Sequence, residues 1–419
     1  MNKKHFYALA ACSLFVLAAS SCHGLLKSSI SQASGEQIAA ANHQWDRVFE
    51  RRSGWTGGDV AASFIIPGNR VLWVFGDSWV GDVENNRHIR AALVNNSIAI
   101  HPYDPGQPGK PPAAEQIHFY WGPKDGSGKP SAWLRPILQK QSGAADSNTW
   151  YWPAGGGMVL PGPDGSNQLA LFFILVAKKQ GTDSVWGFQS IGSAVAIIGN
   201  VEEPAQLWKT RVIELPHQID RSGTKARTNS QVEWGAASLF EPGADGSPGY
   251  VFIYGVESGE SINRDLILAR VQPSSFEHFE EWDFFAGRGQ WSKSPSRAEL
   301  IVRGVSSELS IEKIVDQTRA IHYMMVESEP LFGDRIFIRT ALNPEGPWSD
   351  AKPVFTVPDV KKSKTLFAYA AKGHLPLSEP GTLLISYIIN SRDFNEVINN
   401  ASIYRPRFIT VPLHEIGIR

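Results

Sequence analysis

The sequence contains almost no cysteine. Cys12 and Cys22 are the two cysteines among 419 residues, and both lie within the first 22 positions. The rest of the chain therefore cannot close a disulfide, and its stability has to come from burial of a hydrophobic core. An excess of one charge is also missing, since 40 Lys and Arg are balanced by 41 Asp and Glu. A nucleic-acid-binding surface is typically basic, so no nucleic-acid partner is expected.

Motifs of several enzyme classes are missing as well. The sequence has no phosphate-binding loop, no Gly-x-Ser-x-Gly turn, no His-Glu-x-x-His zinc motif and no cysteine cluster. These absences argue against nucleotide hydrolysis, a serine-hydrolase elbow and zinc-protease chemistry. The repeated Ser-x-Asp-x-Gly-x-x-Trp boxes expected of sialidases are absent too.

The first 22 residues have the pattern of a secretory signal. Lys3 and Lys4 precede an apolar run over residues 6–19, which is too short to persist as a membrane-spanning helix. The next residues, Ala-Ser-Ser-Cys at 19–22, resemble a bacterial lipobox. We therefore predict that residues 1–22 are a lipoprotein signal peptide and that Cys22 carries the lipid. His23 follows instead of an Asp, so we expect an exported protein of the cell envelope, anchored in an outer membrane.

Two alternatives stay open for this leader. Leu-Ala-Ala-Cys at 9–12 matches the lipobox letters better, but cleavage there would leave a very short apolar run. Ordinary signal cleavage near residue 22 would leave no lipid at all. The lipidated form has the advantage that it explains the single cysteine of an exported chain.

The composition of the remaining chain predicts an all-β protein. Gly and Pro together number 65, and aromatic residues reach 11%, including 14 Trp. Many of the aromatics lie in short apolar runs bounded by Gly, Pro, Asn or Asp, which is typical of strands and turns. Residues 23–53 are interpreted as a tether with a short helical lead-in at 45–49, residues 54–413 as the β domain, and 414–419 as a tail.

Five stretches of the β domain share one layout: an opening strand with small residues, a turn, and a strongly apolar strand. Their strand pairs are 57–64 with 71–77, 152–159 with 169–176, 233–239 with 250–254, 308–314 with 320–326, and 368–374 with 383–387. Residues 54–413 leave about 72 residues for each unit, which suits a four-stranded blade with a long loop. We therefore predict a five-bladed β-propeller. A pair of β-sandwiches is the alternative.

Four carboxylic acids occupy matching places in these stretches. Asp59 and Glu233 lie in opening strands, Glu308 begins one, and Asp77 ends an apolar strand. In a propeller these positions meet at one end of the axis, where crowding separates the pKa values of an acid and a base. Each residue also has a structural interpretation: Asp59 and Asp77 as turn or hairpin caps, Glu233 as the partner of an Arg, and Glu308 as loop surface.

Three motifs resemble a known family: Trp-Thr-Gly-Gly-Asp at 55–59, Phe-Gly-Asp-Ser-Trp at 75–79 and Tyr-Arg-Pro-Arg-Phe at 404–408. They look like the five-bladed propeller glycoside hydrolases, in particular a bacterial lipoprotein branch similar to endo-D-arabinanases, and more distantly the arabinanases and xylosidases. The resemblance covers about residues 54–413. It implies that Asp59 belongs to the catalytic set, that Asp77 is a motif residue, and that Glu233 or Glu308 supplies the acid.

Other residues are candidates for binding a sugar. Exposed Trp faces suit sugar rings, and the candidates are Trp55, Trp79, Trp121, Trp150, Trp152 and Trp234. His374, Asn390 and Arg392 are candidate polar contacts, with His374 alternatively a core histidine. The resemblance requires no cofactor, although it allows a structural Ca²⁺ on the propeller axis, held by His374 through water. Arg405 and Arg407 either fasten the last blade by ion pairs or bind ligand.

Two functions follow from this sequence. The first is a lipid-anchored, monomeric glycoside hydrolase that acts on an extracellular polysaccharide with furanosidic or related linkages. The second is a non-catalytic glycan-binding or surface-assembly propeller, in which the acids only hold polar strands or a cation. The spacing of the carboxyl groups discriminates between them, because catalysis requires two carboxyls on either side of one bond.

Overall fold

The computed structural model describes residues 37–136, 148–162, 165–179, 181, 187–221, 230–243, 246–258 and 264–419. The leader with Cys12, Cys22 and the predicted lipidation lies outside these ranges. Within them, no helix is both long and apolar enough to cross a bilayer.

The prediction of an all-β chain is confirmed. The described ranges contain 26 strands and two short α-helices, α1 (His43–Val48) and α2 (Phe394–Asn399). The first strand pairs with the last one, and together with the two strands before the last they form sheet 5. Its strands lie in the order β1 (Ala40–Ala41), β26 (Pro406–Pro412), β25 (Thr382–Ser391) and β24 (Leu366–Gly373). The other sheets follow the order of the chain.

Two sheets come from the first part of the chain. A small junction sheet contains β2 (Ser53–Gly58), β5 (Ser78–Glu84) and β6 (Arg87–Val94). Sheet 1 contains β3 (Ala62–Ile66), β4 (Arg70–Phe75), β7 (Ser97–Pro102) and β8 (His118–Tyr120). The two sheets adjoin where β2 leads into β3 and β4 leads into β5, and Asp59 and Asp77 lie at these two joints.

Sheets 2 to 4 occupy the middle of the chain. Sheet 2 contains β9 (Thr149–Pro161), β10 (Asn167–Lys178), β11 (Phe188–Ile198) and β12 (Thr210–Leu215). Sheet 3 contains β13 (Gln218–Ile219), β14 (Ser230–Glu241), β15 (Tyr250–Ser258), β16 (Arg264–Val271), β17 (Asp283–Phe285) and β18 (Trp291–Ser292), with β19 (Val302–Arg303) also paired to β16. Sheet 4 contains β20 (Leu309–Val315), β21 (Ile321–Ser328), β22 (Arg335–Ala341) and β23 (Lys352–Thr356).

Both faces of sheet 2 are buried at its strand β10, which explains the nearly continuous apolar sequence of that strand. In β10 successive side chains point to opposite faces. Leu171 and Phe173 pack with sheet 1, whereas Phe172 and Ile174 pack with sheet 3. The strand therefore has no face that would need polar residues.

The sheets form a closed ring. The described residues make five hydrophobic clusters, which lie between sheets 1 and 2, 2 and 3, 3 and 4, 4 and 5, and 5 and 1. The last cluster brings Phe367 and Phe408 of sheet 5 against Trp73 and Phe75 of sheet 1. The strands β3, β9, β14, β20 and β24 contact one another in that order. The small-residue strands predicted from the sequence are thus those that meet inside the ring.

The small residues in these strands permit an irregular backbone. Near Gly155, Gly235 and Ala370 the pairing register shifts, and the three residues have positive φ values of 110°, 84° and 54°. At Gly235 a Cβ atom would lie 2.0 Å from the Phe172 side chain. Glycine is therefore required there both by the backbone and by the close packing.

The predicted domain boundaries at 54 and 413 need correction. Ala40 and Ala41 pair with β26, and the Ala39 N–H donates to the Val354 carbonyl at 3.0 Å. Trp45 of α1 is buried in the cluster between sheets 5 and 1. At the other end Ile418 is also buried. Part of the predicted tether and the predicted tail thus belong to the fold, because Trp45 packs in the cluster between sheets 5 and 1 and Ile418 packs in the cluster between sheets 4 and 5.

Candidate functional site

Asp59 lies at the joint between β2 and β3, in a strained stretch of backbone. Val60 and Ala61 both have left-handed φ values, of 64° and 50°. This conformation is unfavourable for residues other than glycine, and most of all for a β-branched valine. The joint between β4 and β5 holds it, since the Asp59 N–H donates to the Asp77 carbonyl at 3.3 Å and the Gly76 N–H donates to the Asp59 carbonyl at 3.1 Å.

The Asp59 carboxyl group is buried, with 2% of the residue exposed. The hydroxyls of Tyr369 in β24 and of Tyr404, which lies two residues before β26, each donate to its Oδ2 at 2.8 Å. Its Oδ1 has no hydrogen-bond partner among the described residues. Burial raises the pKa of Asp59 well above its usual value, the charge of Glu308 raises it further, and the two phenols oppose the change.

Glu308 lies immediately before β20, in sheet 4. Its Oε2 is also buried and has no hydrogen-bond partner among the described residues. Burial raises the pKa of Glu308, and the charge of Glu233 adds to the effect. The nearby cations Lys372 and Arg264 lower this pKa and so favour the carboxylate.

Glu233 lies in β14, in sheet 3, and is paired with a cation. Arg264, which begins β16, places its Nη1 3.4 Å from the Glu233 Oε2. The structure thus brings Asp59, Glu233 and Glu308 from three sheets close enough for Glu308 to affect Asp59 and for Glu233 to affect Glu308. We refer to these three residues as the acid cluster.

Asp77 stands beside the acid cluster in a different setting. Its Oδ1 accepts hydrogen bonds from the Trp152 indole N–H at 2.9 Å and from the Asn95 amide at 3.4 Å. Its backbone carbonyl accepts the Asp59 N–H, as described above. The residue is fully buried. Asp77 therefore orients the backbone of Asp59 and links sheet 1 to sheet 2.

The proposed tryptophan platforms need correction. Five of the six candidates are buried: Trp55, Trp79, Trp150, Trp152 and Trp234. Trp55 stacks on Phe119 at 4.6 Å between ring centroids, and Trp79 stacks on His88 at 4.7 Å. Their faces are covered because they pack inside and between sheets, so they cannot stack on a sugar ring. Trp121 is half-buried.

The polar binding candidates divide in the same way. His374 is buried, and its two ring nitrogens are hydrogen-bonded to the Ser63 and Ser386 hydroxyls at 2.7 and 2.8 Å. Burial, together with the charge of Lys372, lowers its pKa to about 3, so it is a neutral core histidine. Asn390 is also buried, and its amide donates to the Tyr369 hydroxyl at 3.4 Å. Arg392 is exposed and lies over the Phe332 ring.

The two arginines of the 404–408 motif make ion pairs. Arg405 contacts Glu50 at 3.0 Å, and Arg407 lies 3.9 Å from Asp46 and 3.6 Å from Glu50. Both acids belong to the segment of α1 and the residues after it. The pairs therefore hold the N-terminal segment to the last strand.

Four residues of the site were not assigned a role from the sequence: Arg264, Tyr369, Lys372 and Tyr404. Tyr404 belongs to the 404–408 motif that carries the family resemblance, but the motif gave it no role of its own. Lys372 carried a usable signal, because it is the only charged residue in the strand Leu366–Gly373. A lysine in such an apolar strand either has a buried ammonium group or reaches solvent at the edge of the sheet.

The residues at the ring centre do not fit a Ca²⁺ ion. Calcium needs six to eight oxygen ligands, and the described residues contain no group of three or more His, Cys, Asp or Glu placed to hold a metal. His374 has both nitrogens engaged by serines. The buried ammonium group of Lys372 also lies at this centre, since a Cβ on Gly155 would be 2.5 Å from its Nζ.

Family and fold follow from comparison with known proteins. The sequence profile of a family described as "Domain of unknown function (DUF5005)" matches residues 42–413. A candidate hydrolase from Bacteroides ovatus ATCC 8483 has a similar structure, with a TM-score of 0.65, 16% identity, and alignment over 91% of this chain and 92% of that one. This likeness shows a shared fold. No curated protein matches the chain in sequence.

More distant solved structures include glycoside hydrolases. An α-L-arabinofuranosidase from Podospora anserina, in complex with cellotriose, is 10% identical over 85% of this chain and 91% of that one, with a TM-score of 0.40. An exo-β-1,3-galactanase from Phanerochaete chrysosporium, with galactose, is 9% identical over 91% of this chain and 66% of that one, with a TM-score of 0.39.

Proposed function

The chain belongs to the DUF5005 family, and we propose that it is a glycoside hydrolase whose reacting groups are Asp59 and Glu308. We propose further that the ring of sheets is a five-bladed β-propeller with the acid cluster at one end of its axis. Five interfacial clusters between successive sheets, and five small-residue strands each in contact with the next along the chain, support this arrangement. A pair of sandwiches would give two cores, one inside each sandwich.

One observation carries the catalytic proposal. Asp59 and Glu308 come from different sheets, and each keeps one buried carboxyl oxygen without a partner among the described residues. Buried carboxyl oxygens are nearly always paired, because an unpaired one costs free energy. Two such oxygens in groups that repel each other's charge are typical of an acid and base pair that shares one proton.

The surroundings assign different roles to the two residues. Lys372 and Arg264 stabilise the charged form of Glu308, whereas Asp59 has only neutral phenol partners and the added repulsion of Glu308. We therefore assign the proton to Asp59. Asp59 then protonates the leaving oxygen as the glycosidic C–O bond breaks, and the Glu308 carboxylate either removes a proton from the attacking water or attacks the anomeric carbon. This reverses the roles implied by the family resemblance, in which a later glutamate is the acid.

The rest of the proposal follows the sequence. The leader pattern supports export and a lipid on Cys22, and hence a substrate outside the cytoplasm. We propose a polysaccharide or oligosaccharide substrate with arabinan-like or related furanosidic linkages, on the family resemblance of the 55–59, 75–79 and 404–408 motifs. Arg392 and Trp121 are the candidate contacts that are not fully buried.

A second candidate function is a non-catalytic glycan-binding propeller. The burial of Asp59 favours it, because Tyr369 and Tyr404, from the last part of the chain, both bond this aspartate at the joint between β2 and β3 and so fasten the ring. In that case the carboxyl would be a closing contact, and no bond would be cleaved.

The test is hydrolysis by the chain from residue 23 onward, incubated with arabinan, xylan and arabinogalactan. We expect reducing-sugar release from one of them, and a loss of at least ~100-fold in Asp59→Asn and in Glu308→Gln. Glu277→Gln, which removes a half-buried carboxyl that pairs with Arg211, is the control and should retain full activity. Glycan binding without release by the wild type would favour the non-catalytic function.

The leaving group tests the assignment of roles. With a 4-nitrophenyl glycoside of the active sugar, Asp59→Asn should regain much of its rate, because a good leaving group needs no acid. Glu308→Gln should stay inactive on the same compound. The opposite result would exchange the two roles and leave the hydrolase function in place.

A further inference from the structure

We propose that Lys372 is a positioning residue of this site: its buried ammonium group is a fixed cation at the ring centre that holds Glu308 as a carboxylate. The inference rests on the proposed function for its consequence in catalysis. Its structural basis, the position of the ammonium group, is independent of that function.

The ammonium group is anchored on the residue that follows Glu308. Lys372 is fully buried, and its Nζ donates to the carbonyl of Leu309 at 2.8 Å. Leu309 is the residue after Glu308, so the anchor fixes the cation against the backbone that carries the acid. A buried ammonium without a counter-charge is costly, and Glu308 is the carboxyl whose charge favours the charged form of this lysine.

The neighbouring sheet leaves room for the cation. Gly155 in β9 has a φ of 110°, and a Cβ there would lie 2.5 Å from the Lys372 Nζ. Any other residue would push the ammonium away from Leu309. Three sheets therefore define its position: β24 carries the lysine, β20 provides the acceptor, and β9 provides the space.

The Lys372 cation also accounts for the different protonation of the two reacting carboxyl groups, with Glu308 charged and Asp59 protonated. Arg264 is already engaged by Glu233 at 3.4 Å, so Lys372 is the cation without another carboxylate partner among the contacts of the described residues. Burial lowers the pKa of Lys372 to about 8, which leaves it charged at neutral pH. With the positive charge beside Glu308, the proton of the pair is retained on Asp59.

Other titratable groups face this region and have to be considered. They are Asp59, Glu233, Arg264, Glu312 and His374. His374 is neutral above about pH 3. Burial raises the pKa of Glu312 to about 8, and its side chain lines the cavity of about 210 Å³ that continues along the same strands. An experiment on Glu308 must therefore distinguish its titration from that of Glu312 near pH 8. A signal from the Glu308 carboxyl carbon itself makes this distinction.

The experiment compares Lys372→Met, which keeps the length of the side chain and removes the charge, with Lys372→Arg, which restores a charge. The readout is the ¹³C-carboxyl NMR titration of Glu308, identified by its loss in Glu308→Gln. We expect the Glu308 titration in Lys372→Met to move upward by at least about one pH unit, as for an acid that loses a nearby cation. Lys372→Arg should move it back.

The control is Lys313→Met, which removes an ammonium group that pairs with Glu241 at 2.9 Å away from the acid cluster. This variant should leave the Glu308 titration unchanged. If Lys372→Met does not fold, Gly155→Ala replaces it, because the added Cβ displaces the ammonium while the charge remains. An unchanged Glu308 titration in the folded variant overturns the proposal.

The activity of the same variants separates this proposal from the proposed function. If the wild type hydrolyses a glycan, the acidic limb of its pH profile should move upward with the Glu308 titration in Lys372→Met, with KM nearly unchanged. If no glycan is hydrolysed, the NMR shift alone still decides whether Lys372 holds the charge of Glu308. A shifted titration with an unmoved activity profile would show that Glu308 is not the reacting carboxylate.

Discussion

Two buried carboxyl groups of this protein have very different surroundings. Glu257, in β15, accepts hydrogen bonds from Nε and Nη2 of Arg221 at 3.0 and 2.7 Å, and from the Ser230 hydroxyl at 2.5 Å. Asp59 is similarly inaccessible, but its two donors are neutral phenols that share one oxygen. The other oxygen of Asp59 has no partner among the described residues.

The difference distinguishes an acid that stabilises the fold from one that is held ready to react. At Glu257 a bidentate guanidinium occupies both carboxyl oxygens and compensates a buried charge. Without such a cation, burial raises the pKa of Asp59, so the fold keeps a proton there at a cost to its own stability. Burial alone therefore does not identify the functional acid; the partners of the two oxygens do.

The largest loss of stability should come from breaking the buried ion pair between Arg221 and Glu257. Arg221→Met leaves the charge of Glu257 buried without its cation, and we expect a loss of about 3–5 kcal/mol in the free energy of unfolding. Adding Glu257→Leu should recover most of it, because an apolar pair of similar volume removes the uncompensated charge. Urea unfolding followed by tryptophan fluorescence measures both variants.

The control for this change is Arg211→Met, which removes the guanidinium that pairs with Glu277 at the surface. An exposed pair contributes about 0–1 kcal/mol, so its melt should stay close to the wild type. Equal losses in Arg211→Met and Arg221→Met would show that burial does not distinguish the two pairs.

The next effect concerns the pH dependence contributed by Asp59. Below about pH 4 Asp59 is protonated in the unfolded chain, as an ordinary aspartate is, and it is protonated in the folded protein as well. As the pH rises above about 4, the unfolded chain loses this proton while the folded protein keeps it, because the folded pKa is raised. The wild type therefore loses stability with rising pH until the folded pKa is reached, and Asp59→Asn removes this loss.

We accordingly expect the stability of Asp59→Asn, relative to the wild type, to increase from pH 4 to pH 7 in urea unfolding. Asp316→Asn is the matched control of opposite sign, since the Thr318 hydroxyl and other donors lower the pKa of Asp316 to about 2. Its relative stability should be constant from pH 5 to 7 and should improve toward pH 2. A flat profile for Asp59→Asn would mean that Asp59 is ionised in the fold.

The contrast between the two acids also shows what the sequence could and could not predict. Strand periodicity and turn residues predicted the β content, and Gly155 and Gly235 marked strands that lie close to their neighbours. The positions of Asp59 and Glu308 in matching stretches were visible, but the partners of their oxygens were not. Tyr369 and Tyr404 are 310 and 345 residues from Asp59 along the chain, and no local pattern encodes such contacts.

For the tryptophans the sequence predicted exposed sugar-binding faces, and the structure buries five of the six side chains. An aromatic residue beside an acid is compatible with either a sugar platform or a core side chain, and the sequence does not say which face of the strand it occupies. Trp152 lies beside Asp77 as a buried indole donor, and Trp55 fills the space between α1 and sheet 1. The ring of sheets makes these tryptophans core side chains, because neighbouring sheets cover the faces of their strands.

The smallest expected effect comes from removing one of the two phenol donors of Asp59. Tyr404→Phe deletes a hydroxyl that donates to Oδ2 at 2.8 Å, and the Tyr369 hydroxyl still donates to the same oxygen. We expect a loss of about 1 kcal/mol in the free energy of unfolding at pH 7, the usual contribution of one hydrogen bond. Because the lost donor favoured the carboxylate, the pKa of Asp59 should rise further. Tyr103→Phe, which removes a hydroxyl bonded to the Pro376 carbonyl at 3.1 Å on the surface, should change neither quantity. If Tyr404→Phe lowered the pKa of Asp59, the phenol would be an acceptor of the Asp59 proton and not a donor to its oxygen.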